Sequence, residues 1–252
     1  MQQVSRFNLD THVQRDLDKL QLVTDRERAL NALDVAKKWK AKRGKETLRA
    51  VLETLRAMMG SRERCMYCLD SHGTDIDHFW PKMSYPEKMF LWENLLLCCS
   101  ECGRLKSDLF PMSADSQPLL VDPTAENPWL YLDFDPGTGN VVPRFDPNSN
   151  EWLPKGIKTV EILHLDRREA LAAGYRKTYR RLARRVEQFL ASSSPNANEL
   201  MTALHDEDEH GLLWWCFCGS GQNEPPFSEL RTQHPRVWEF CATDATQTMT
   251  SY

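Results

Sequence analysis

Two pairs of cysteines with identical spacing are the feature that most restricts how this chain can fold. "CMYC" contains Cys65 and Cys68, and "CSEC" contains Cys99 and Cys102. Each Cys-x-x-Cys turn offers two thiolates, and a tetrahedral zinc ion takes four. Unrelated buried cysteines would not favour the same spacing twice, and redox chemistry needs only one pair. The spacing therefore predicts a structural Zn²⁺ held by Cys65, Cys68, Cys99 and Cys102.

The cellular compartment matters to this prediction because thiols bind metal only when they are reduced. The N-terminal "MQQVSRFNLDTHVQRDLDKL" is polar and lacks an apolar signal core, and no apolar run is long enough for a membrane span. We therefore expect a cytoplasmic protein without membrane association, in which the eight cysteines are reduced. The net charge of −4 means that any binding to nucleic acid must rest on local basic patches.

The segment between the cysteine pairs predicts a small β-β-α unit. "DIDHF" and "WENLLL" fit two short strands, and a helix is expected to begin near Ser100. Because so small a unit has little core of its own, zinc would supply much of its stability. We expect an α+β, mostly helical fold in which helices surround this zinc-stapled core. The expected regions are N-terminal helical (1–60), zinc core (61–112) and loop-rich to helical C-terminal (113–252), or one continuous domain.

Helical spacing dominates both sides of the zinc core. "TDRE" matches a capping box with Thr24 as N-cap, and apolar residues then recur with helical spacing up to Trp39. "KRGKE" would break that helix, and a second would end at Gly60. Beyond the core we predict a hairpin around "PGTGN" and a long amphipathic helical stretch over residues 157–191.

Two basic stretches could bind the phosphate backbone of a nucleic acid. One is "KKWKAKRGK" at 37–45, and the other is "RREALAAGYRKTYRRLARR" at 167–185. On a helix, the second would place arginines on successive turns of one face. The alternatives are a solvated helix face and a docking surface for a partner protein. The residues predicted to contact nucleic acid in this stretch are Arg176, Arg180, Arg181 and Arg184.

The order of the motifs resembles that of the HNH endonucleases, a family of ββα-metal nucleases. A Cys-x-x-Cys pair is followed by Asp-His, by Asn-Leu and by a second pair, with a lysine four residues beyond its last cysteine. More narrowly, "DHFWPK", "WENLLLCCSEC", "KSDLFP", "PLLVDPTAENP" and "TVEILHLDR" resemble the HNH nuclease subunit of the Septu anti-phage defence system, which also accompanies some retrons. This narrower resemblance covers roughly residues 60–190.

The resemblance implies a metal-dependent hydrolase that cleaves phosphodiester bonds in DNA, or in RNA such as transfer RNA. It also implies an ABC-like ATPase subunit as the partner of the nuclease within a defence complex. The rival interpretation is a non-catalytic zinc module that binds nucleic acid or a partner protein.

The chemistry of the reaction suggests roles for Asp77 and His78. Phosphodiester hydrolysis requires an activated water, a cation on the phosphate and help for the leaving oxygen. His78 would be the general base, because a neutral imidazole accepts a proton near pH 7. Asp77 would bind a hard divalent cation, with Mg²⁺ the best match and Asp75 an alternative ligand. Since adjacent strand residues point to opposite faces, Asp77 and His78 share a site only if the strand bends or ends there.

Three further residues are expected to support this site. Asn94 resembles the middle residue of the family motif and would hold the loop and the His78 ring. Lys106 would contact phosphate or stabilise developing charge, with a plain solvated lysine as the alternative. Lys82 could do similar work.

Gly103 departs from the family pattern, which usually has His or Asn directly after the last cysteine. Glycine offers no side-chain ligand, so three alternatives are open. The catalytic metal has one fewer protein ligand, or another carboxylate replaces it, or the nuclease is weakened. The candidate replacements are Asp108, Asp70 and Asp75.

Overall fold

The computed structural model describes residues 1–247 and has the predicted α+β, mostly helical fold. It divides into two compact units. The cleft unit comprises Arg6–Tyr67 and Ser71–Gln117. The helical unit comprises Met1–Ser5, Cys68–Asp70 and the described chain from Pro118 onward. The three-region division with boundaries near residues 60 and 112 stays a prediction, because compactness alone does not show which parts fold independently.

Three helices precede the cysteine motifs in the cleft unit. They are α1 (Thr11–Ala29), α2 (Val35–Lys42) and α3 (Glu46–Met58). Helices α1 and α3 bury apolar side chains on one face each, and α2 buries none of its residues. The buried positions that fill this part of the core are Leu17, Leu48, Val51 and Leu55.

The prediction that a helix starts at Thr24 is wrong. Thr24 lies inside α1, where its hydroxyl donates to the Leu20 carbonyl at 2.7 Å. The chain leaves the helix after Ala29, with Asn31 at a positive φ of 53°. Asp34 then caps α2 by accepting from the Lys37 amide at 2.9 Å. The segment from Thr24 to Trp39, which the sequence predicts as one helix, is therefore divided between the end of α1 and the first part of α2.

The predicted two strands and helix are present between and after the cysteine pairs. Strand β1 (Asp75–His78) pairs antiparallel with β2 (Leu95–Cys98), and α4 (Ser100–Lys106) begins directly beyond β2. Every residue of β2 is buried, so this strand lies in the core of the unit. His78 is the last residue of β1, opposite Leu95.

The helical unit begins with short hairpins. Strands β3 (Leu132–Phe134) and β4 (Val141–Pro143) enclose the predicted "PGTGN" turn, and Asp135 N donates to Asn140 O at 2.9 Å. Strands β5 (Phe145–Asp146) and β6 (Glu151–Trp152) form a second hairpin.

Helices make up the rest of this unit. The predicted helical stretch over 157–191 is interrupted, because His164 adopts a left-handed conformation with φ 51°. Aromatic side chains, including Trp129, Tyr175 and Trp215, are fully buried in the unit. Its helices are α5 (Pro154–Leu163), α6 (Glu169–Leu190), α7 (Ala197–Glu207), α8 (Leu213–Cys218), α9 (Phe227–Gln233) and α10 (Pro235–Gln247).

Among residues 1–247, no helix combines the length and the apolar character that crossing a membrane requires.

Candidate metal centre and the adjoining cleft

The four predicted cysteines form one compact group. The Sγ atoms of Cys65, Cys68, Cys99 and Cys102 all lie within 4.8 Å of one another, and all four residues are buried. A zinc ion with Zn–S bonds of about 2.3 Å holds its sulfurs about 3.8 Å apart, so the group matches a tetrahedral site. Within the described chain, this is the one cluster of His, Cys, Asp or Glu side chains with such geometry. The four thiolates would hold zinc and close the site to other ligands.

Backbone hydrogen bonds build the two cysteine turns. Cys65 N donates to Ser71 O at 2.9 Å, and Met66 N donates to Leu97 O at 3.0 Å, which ties the first turn to β2. Cys99 is the N-cap of α4, where its Sγ accepts from Cys102 N at 3.4 Å. A thiolate at a helix N-terminus is stabilised by the helix dipole, which suits a metal ligand.

Cys98 stands outside the sulfur cluster although it is next to Cys99. Its side chain is buried, and its Sγ lies 3.0 Å from the Cys99 carbonyl. The Cβ of any residue replacing Gly103 would come within 3.3 Å of this sulfur. At this position the family usually has His or Asn. Here the chain has Gly103, and its lack of a side chain leaves room for the Cys98 sulfur.

Asp77 has one carboxylate oxygen fixed by its neighbours. Its Oδ2 accepts from the Tyr67 hydroxyl at 2.8 Å and lies 3.0 Å from the Lys106 ammonium. Both contacts are made through Oδ2, and the Asp77 side chain is 15% exposed. Oδ1 is therefore the oxygen available to a cation. Tyr67 lies between the two cysteines of the first pair, and its role was not predicted.

Lys106 occupies a different position from the one expected of a phosphate contact or a solvated lysine. Its side chain is 0% exposed, although it belongs to the short helix α4. The ammonium donates to the His78 carbonyl at 2.6 Å as well as pairing with Asp77. In this conformation Lys106 holds the end of β1 and is not accessible to a phosphate.

His78 is closed in the interior of the cleft unit. The residue is 3% exposed, and its Nε2 lies 3.0 Å from the Met89 carbonyl. A carbonyl only accepts, so Nε2 carries the proton and Nδ1 keeps the lone pair in the neutral ring. The Trp39 ring packs edge-on against the imidazole with 4.4 Å between centroids. His78 and Asp77 thus point to different sides of β1, as strand alternation requires.

The surroundings of His78 favour the neutral imidazole. Burial, together with the positive charges of Lys82 and Lys106, lowers the pKa of His78 to about 3, although the hydrogen bond to Met89 acts in the opposite direction. The ring is therefore unprotonated at pH 7, as a general base must be. While it is covered, however, it is a weak base without access to bulk water.

Asn94 holds the loop that follows β1. Its Oδ1 accepts from Trp80 N at 2.7 Å, and its Nδ2 donates to the carbonyls of Trp80 and Lys88 at 3.1 and 2.9 Å. Gln21 fixes the other side of this loop by accepting from Phe90 N at 2.8 Å. The Met89 carbonyl that orients His78 lies between these two anchors. Asn94 therefore acts on His78 through the loop and not by direct contact.

A cleft of about 410 Å³ lies beside Asp77 in the same unit. Three cationic side chains and two carboxylates line it, so the cleft combines charges of both signs. Asp108 shares the cleft with Asp77, whereas Asp75 is exposed outside it and Asp70 belongs to the helical unit. The charged residues of the lining are Lys40, Arg43, Lys82, Asp77 and Asp108.

The basic helix α6 is partly neutralised within the helical unit. Arg181 lies 3.0 Å from Glu209 and 3.4 Å from Glu207, and Arg185 lies 2.6 Å from Glu207. Arg180 and Arg184 are exposed, and half-buried Arg176 donates to the Thr138 carbonyl at 3.4 Å. Of the four arginines predicted to contact nucleic acid, Arg180 and Arg184 are therefore the two that are exposed to solvent.

Part of the amino-acid sequence has a curated relative. The chain is similar to the Septu protein PtuB of Bacillus thuringiensis. The two sequences are 28% identical over 116 residues, which cover 44% of this chain and 40% of the relative. At 28% identity the similarity is a distant one, and the match spans less than half the length of PtuB. No protein-family model matches the chain, and no solved structure matches it.

Three residues that shape the site carried no usable signal in the sequence. Tyr67 stands at a variable position of a Cys-x-x-Cys turn, and Gln21 is one polar residue among many on α1. Trp39 was read as one apolar position of a predicted helix. Only the contacts made across the unit reveal what each does.

Removal of one zinc ligand should release the metal and unfold its surroundings. Cys102→Ser leaves three thiolates, and because metal binding contributes directly to folding here, the variant should lose zinc and melt earlier. Metal analysis of protein purified without chelator measures the first effect, and thermal unfolding the second. Cys98→Ala, a buried neighbour outside the cluster, is the matched control and should retain zinc. A zinc-free wild-type protein would contradict the assignment.

Loss of the buried ammonium should destabilise the cleft unit. Lys106→Met leaves the Asp77 carboxylate without its ion pair, so we expect the free energy of unfolding to fall by about 3 kcal/mol. Adding Asp77→Asn removes the uncompensated charge and should restore part of that loss. Urea unfolding of the single and double variants measures both effects. Equal stability of wild type and Lys106→Met would show that the pair does not hold β1.

Proposed function

We propose that the chain is an HNH endonuclease that hydrolyses phosphodiester bonds of DNA or RNA in anti-phage defence. The observation that carries the proposal is the cleft, in which Asp77 lies among Lys40, Arg43 and Lys82 beside a predicted zinc-stapled β-β-α unit. Cations bind the phosphate oxygens, and a carboxylate binds the metal that hydrolysis needs. The distant similarity to the Septu protein PtuB supports the setting in defence.

In this proposal Asp77 is the metal-binding carboxylate. Tyr67 and Lys106 hold its Oδ2, so Oδ1 is oriented without further loss of conformational freedom. Asp108 in the same cleft is the best-placed replacement for the ligand missing at Gly103. Mg²⁺ binds through one or two carboxylates together with phosphate oxygens, so this donor set suits it. When bound, such a cation polarises the scissile phosphate and stabilises developing charge.

His78 is the proposed general base. The Met89 carbonyl fixes the tautomer with its lone pair on Nδ1, and that nitrogen would take the proton of the attacking water. The imidazole must first become accessible, since it is 3% exposed beneath Trp39. Asn94 positions the loop that carries the Met89 carbonyl, and Lys106 positions Asp77. Both are positioning residues in this account.

We propose that the nuclease works in the reducing cytoplasm together with an ABC-like ATPase subunit, and that the Septu system or a retron-associated relative is the setting. This part of the proposal rests on the sequence resemblance and on the similarity to PtuB. The predicted zinc thiolates are compatible with a reducing compartment.

A non-catalytic zinc module is the second candidate, and two observations favour it. His78 is covered, and the position where the family usually has His or Asn is a glycine. Under this alternative the cleft would bind nucleic acid without cleaving it.

Substitution of His78 separates the two candidates. His78→Gln keeps a side-chain N–H that can donate to the Met89 carbonyl but removes the basic nitrogen, so cleavage should fall by about 10²–10⁴-fold. Plasmid DNA and transfer RNA are incubated with Mg²⁺ or without added divalent cation, using the chain alone and the chain with its ATPase partner. Zinc content and binding of nucleic acid serve as controls for folding. Equal cleavage by wild type and His78→Gln would refute the role of His78, and binding without cleavage in every condition would favour the zinc module.

The exposed arginines of α6 allow a separate test of binding. Arg180→Glu with Arg184→Glu should weaken binding of nucleic acid and reduce the slope of log K against log[salt] by about 2, because roughly one counterion is released per phosphate contact. Fluorescence anisotropy at several salt concentrations measures both. Lys19→Glu with Arg26→Glu on α1 makes the same change in net charge and should have a smaller effect on the slope. If both double variants have the same slope of log K against log[salt], the exposed arginines of α6 do not contact nucleic acid and form a solvated helix face.

A further inference from the structure

Helix α2 covers the imidazole of His78 but is itself held by few contacts. None of its residues is buried. Trp39 packs against the His78 ring at 4.4 Å and lies 6.0 Å from the Phe90 ring. Lys38 forms an ion pair with Glu27 of α1 at 2.7 Å. A helix attached mainly through one aromatic side chain is suited to moving as a unit.

The face of α2 that carries Trp39 also carries positive charge into the cleft. Ala36, Trp39, Lys40 and Arg43 follow helical spacing, and all four line the cleft beside Asp77. Lys40 and Arg43 are exposed, and within residues 1–247 neither side chain makes a hydrogen bond or an ion pair. Their charges are therefore available to an anion from outside.

Lys82 contacts both the Trp39 ring that covers His78 and the cleft beside Asp77. Its ammonium lies 5.8 Å from the centroid of the Trp39 ring, where it is attracted to the ring face. Lys82 also lines the cleft, so a phosphate group there would compete for the same ammonium. Binding of an anion would thereby weaken one of the contacts that hold Trp39 in place.

We propose that α2 is a phosphate-operated cover: a nucleic-acid strand binds Lys40 and Arg43 and draws Trp39 away from His78. This inference rests on the proposed function, because it describes how the same site admits its substrate. Because Trp39 covers His78, a strand that is held by Lys40 and Arg43 and also reaches the imidazole fits only the position of α2 in which Trp39 has moved away. A strand therefore binds the open position of α2 more tightly than the closed one, and this difference in affinity shifts the equilibrium.

Chemical labelling tests the cover without requiring hydrolysis. Diethyl pyrocarbonate modifies accessible neutral imidazoles, and mass spectrometry gives the rate at His78 relative to exposed His12. We expect labelling of His78 to be at least tenfold faster in Trp39→Ala than in wild type, and nearly unchanged in Trp39→Phe. Two controls test for general unfolding: the labelling rate of His78 in Trp39→Leu, and the zinc content of each variant. Equal rates in wild type and Trp39→Ala, with zinc retained, would overturn the proposal.

The response to nucleic acid is tested on the tryptophan itself. With 5-fluorotryptophan incorporated, Trp39→Phe identifies the ¹⁹F resonance of Trp39, and the shift between H₂O and D₂O reports its exposure. With no divalent cation added, a single-stranded oligonucleotide should expose Trp39 in wild type but not in Lys40→Gln with Arg43→Gln. If the oligonucleotide binds but Trp39 does not become exposed, phosphate binding does not move α2 and the proposal is refuted. The proposal is also refuted if Trp39 becomes exposed only when the ATPase partner is added.

The two proposals can fail separately in these experiments. If labelling and ¹⁹F results are as expected but no condition gives cleavage, the cover stands as a binding device and the nuclease proposal fails. If His78→Gln abolishes cleavage but Trp39→Ala leaves labelling of His78 unchanged, the nuclease proposal stands and the cover fails. If both hold, Trp39→Ala should also increase cleavage severalfold at limiting nucleic acid.

Discussion

A lysine ammonium with no contact to water organises the candidate site. Lys106 enters the interior from α4 and meets both the Asp77 carboxylate and the His78 carbonyl. Such a charge is tolerated only when its donors are satisfied, so the end of β1 is held in one position relative to α4. The cysteine cluster fixes the start of the same helix through Cys99 and Cys102. Sulfur ligands at one end of α4 and an ion pair at the other thus constrain one carboxylate.

The last two residues of β1, Asp77 and His78, lie in different environments. Asp77 faces a charged cleft, whereas His78 faces the Met89 carbonyl and the ring of Trp39, which in turn lies beside the Phe90 ring. Trp39 is the side chain that meets both environments, because it lines the cleft and covers the imidazole. The proposed catalytic role of Asp77 and His78 and the proposed control of access by Trp39 therefore depend on different residues at the same strand end, so the two proposals can be tested separately.

The sequence was most informative where the chemistry is local. Identical Cys-x-x-Cys spacings predicted the sulfur cluster, and the position of Ser100 predicted the start of α4. Long-range choices were not predictable. Nothing in the spacing indicated that Lys106 would turn inward, or that the helix containing Trp39 would start at Val35, after a left-handed break at Asn31. The pairing of Arg181 with Glu207 and Glu209 likewise depends on how α6 and α7 pack, although both charge runs are visible in the sequence.

Gly103 has a consequence for protein engineering. A histidine or asparagine installed there would bring a new Cβ within 3.3 Å of the Cys98 sulfur, directly beside the predicted zinc ligand Cys99. A gain-of-ligand design at this position therefore depends on whether the Cys98 side chain can shift by a few tenths of an ångström. A library that varies positions 98 and 103 together tests this directly, because it also samples residues at 98 that leave more room.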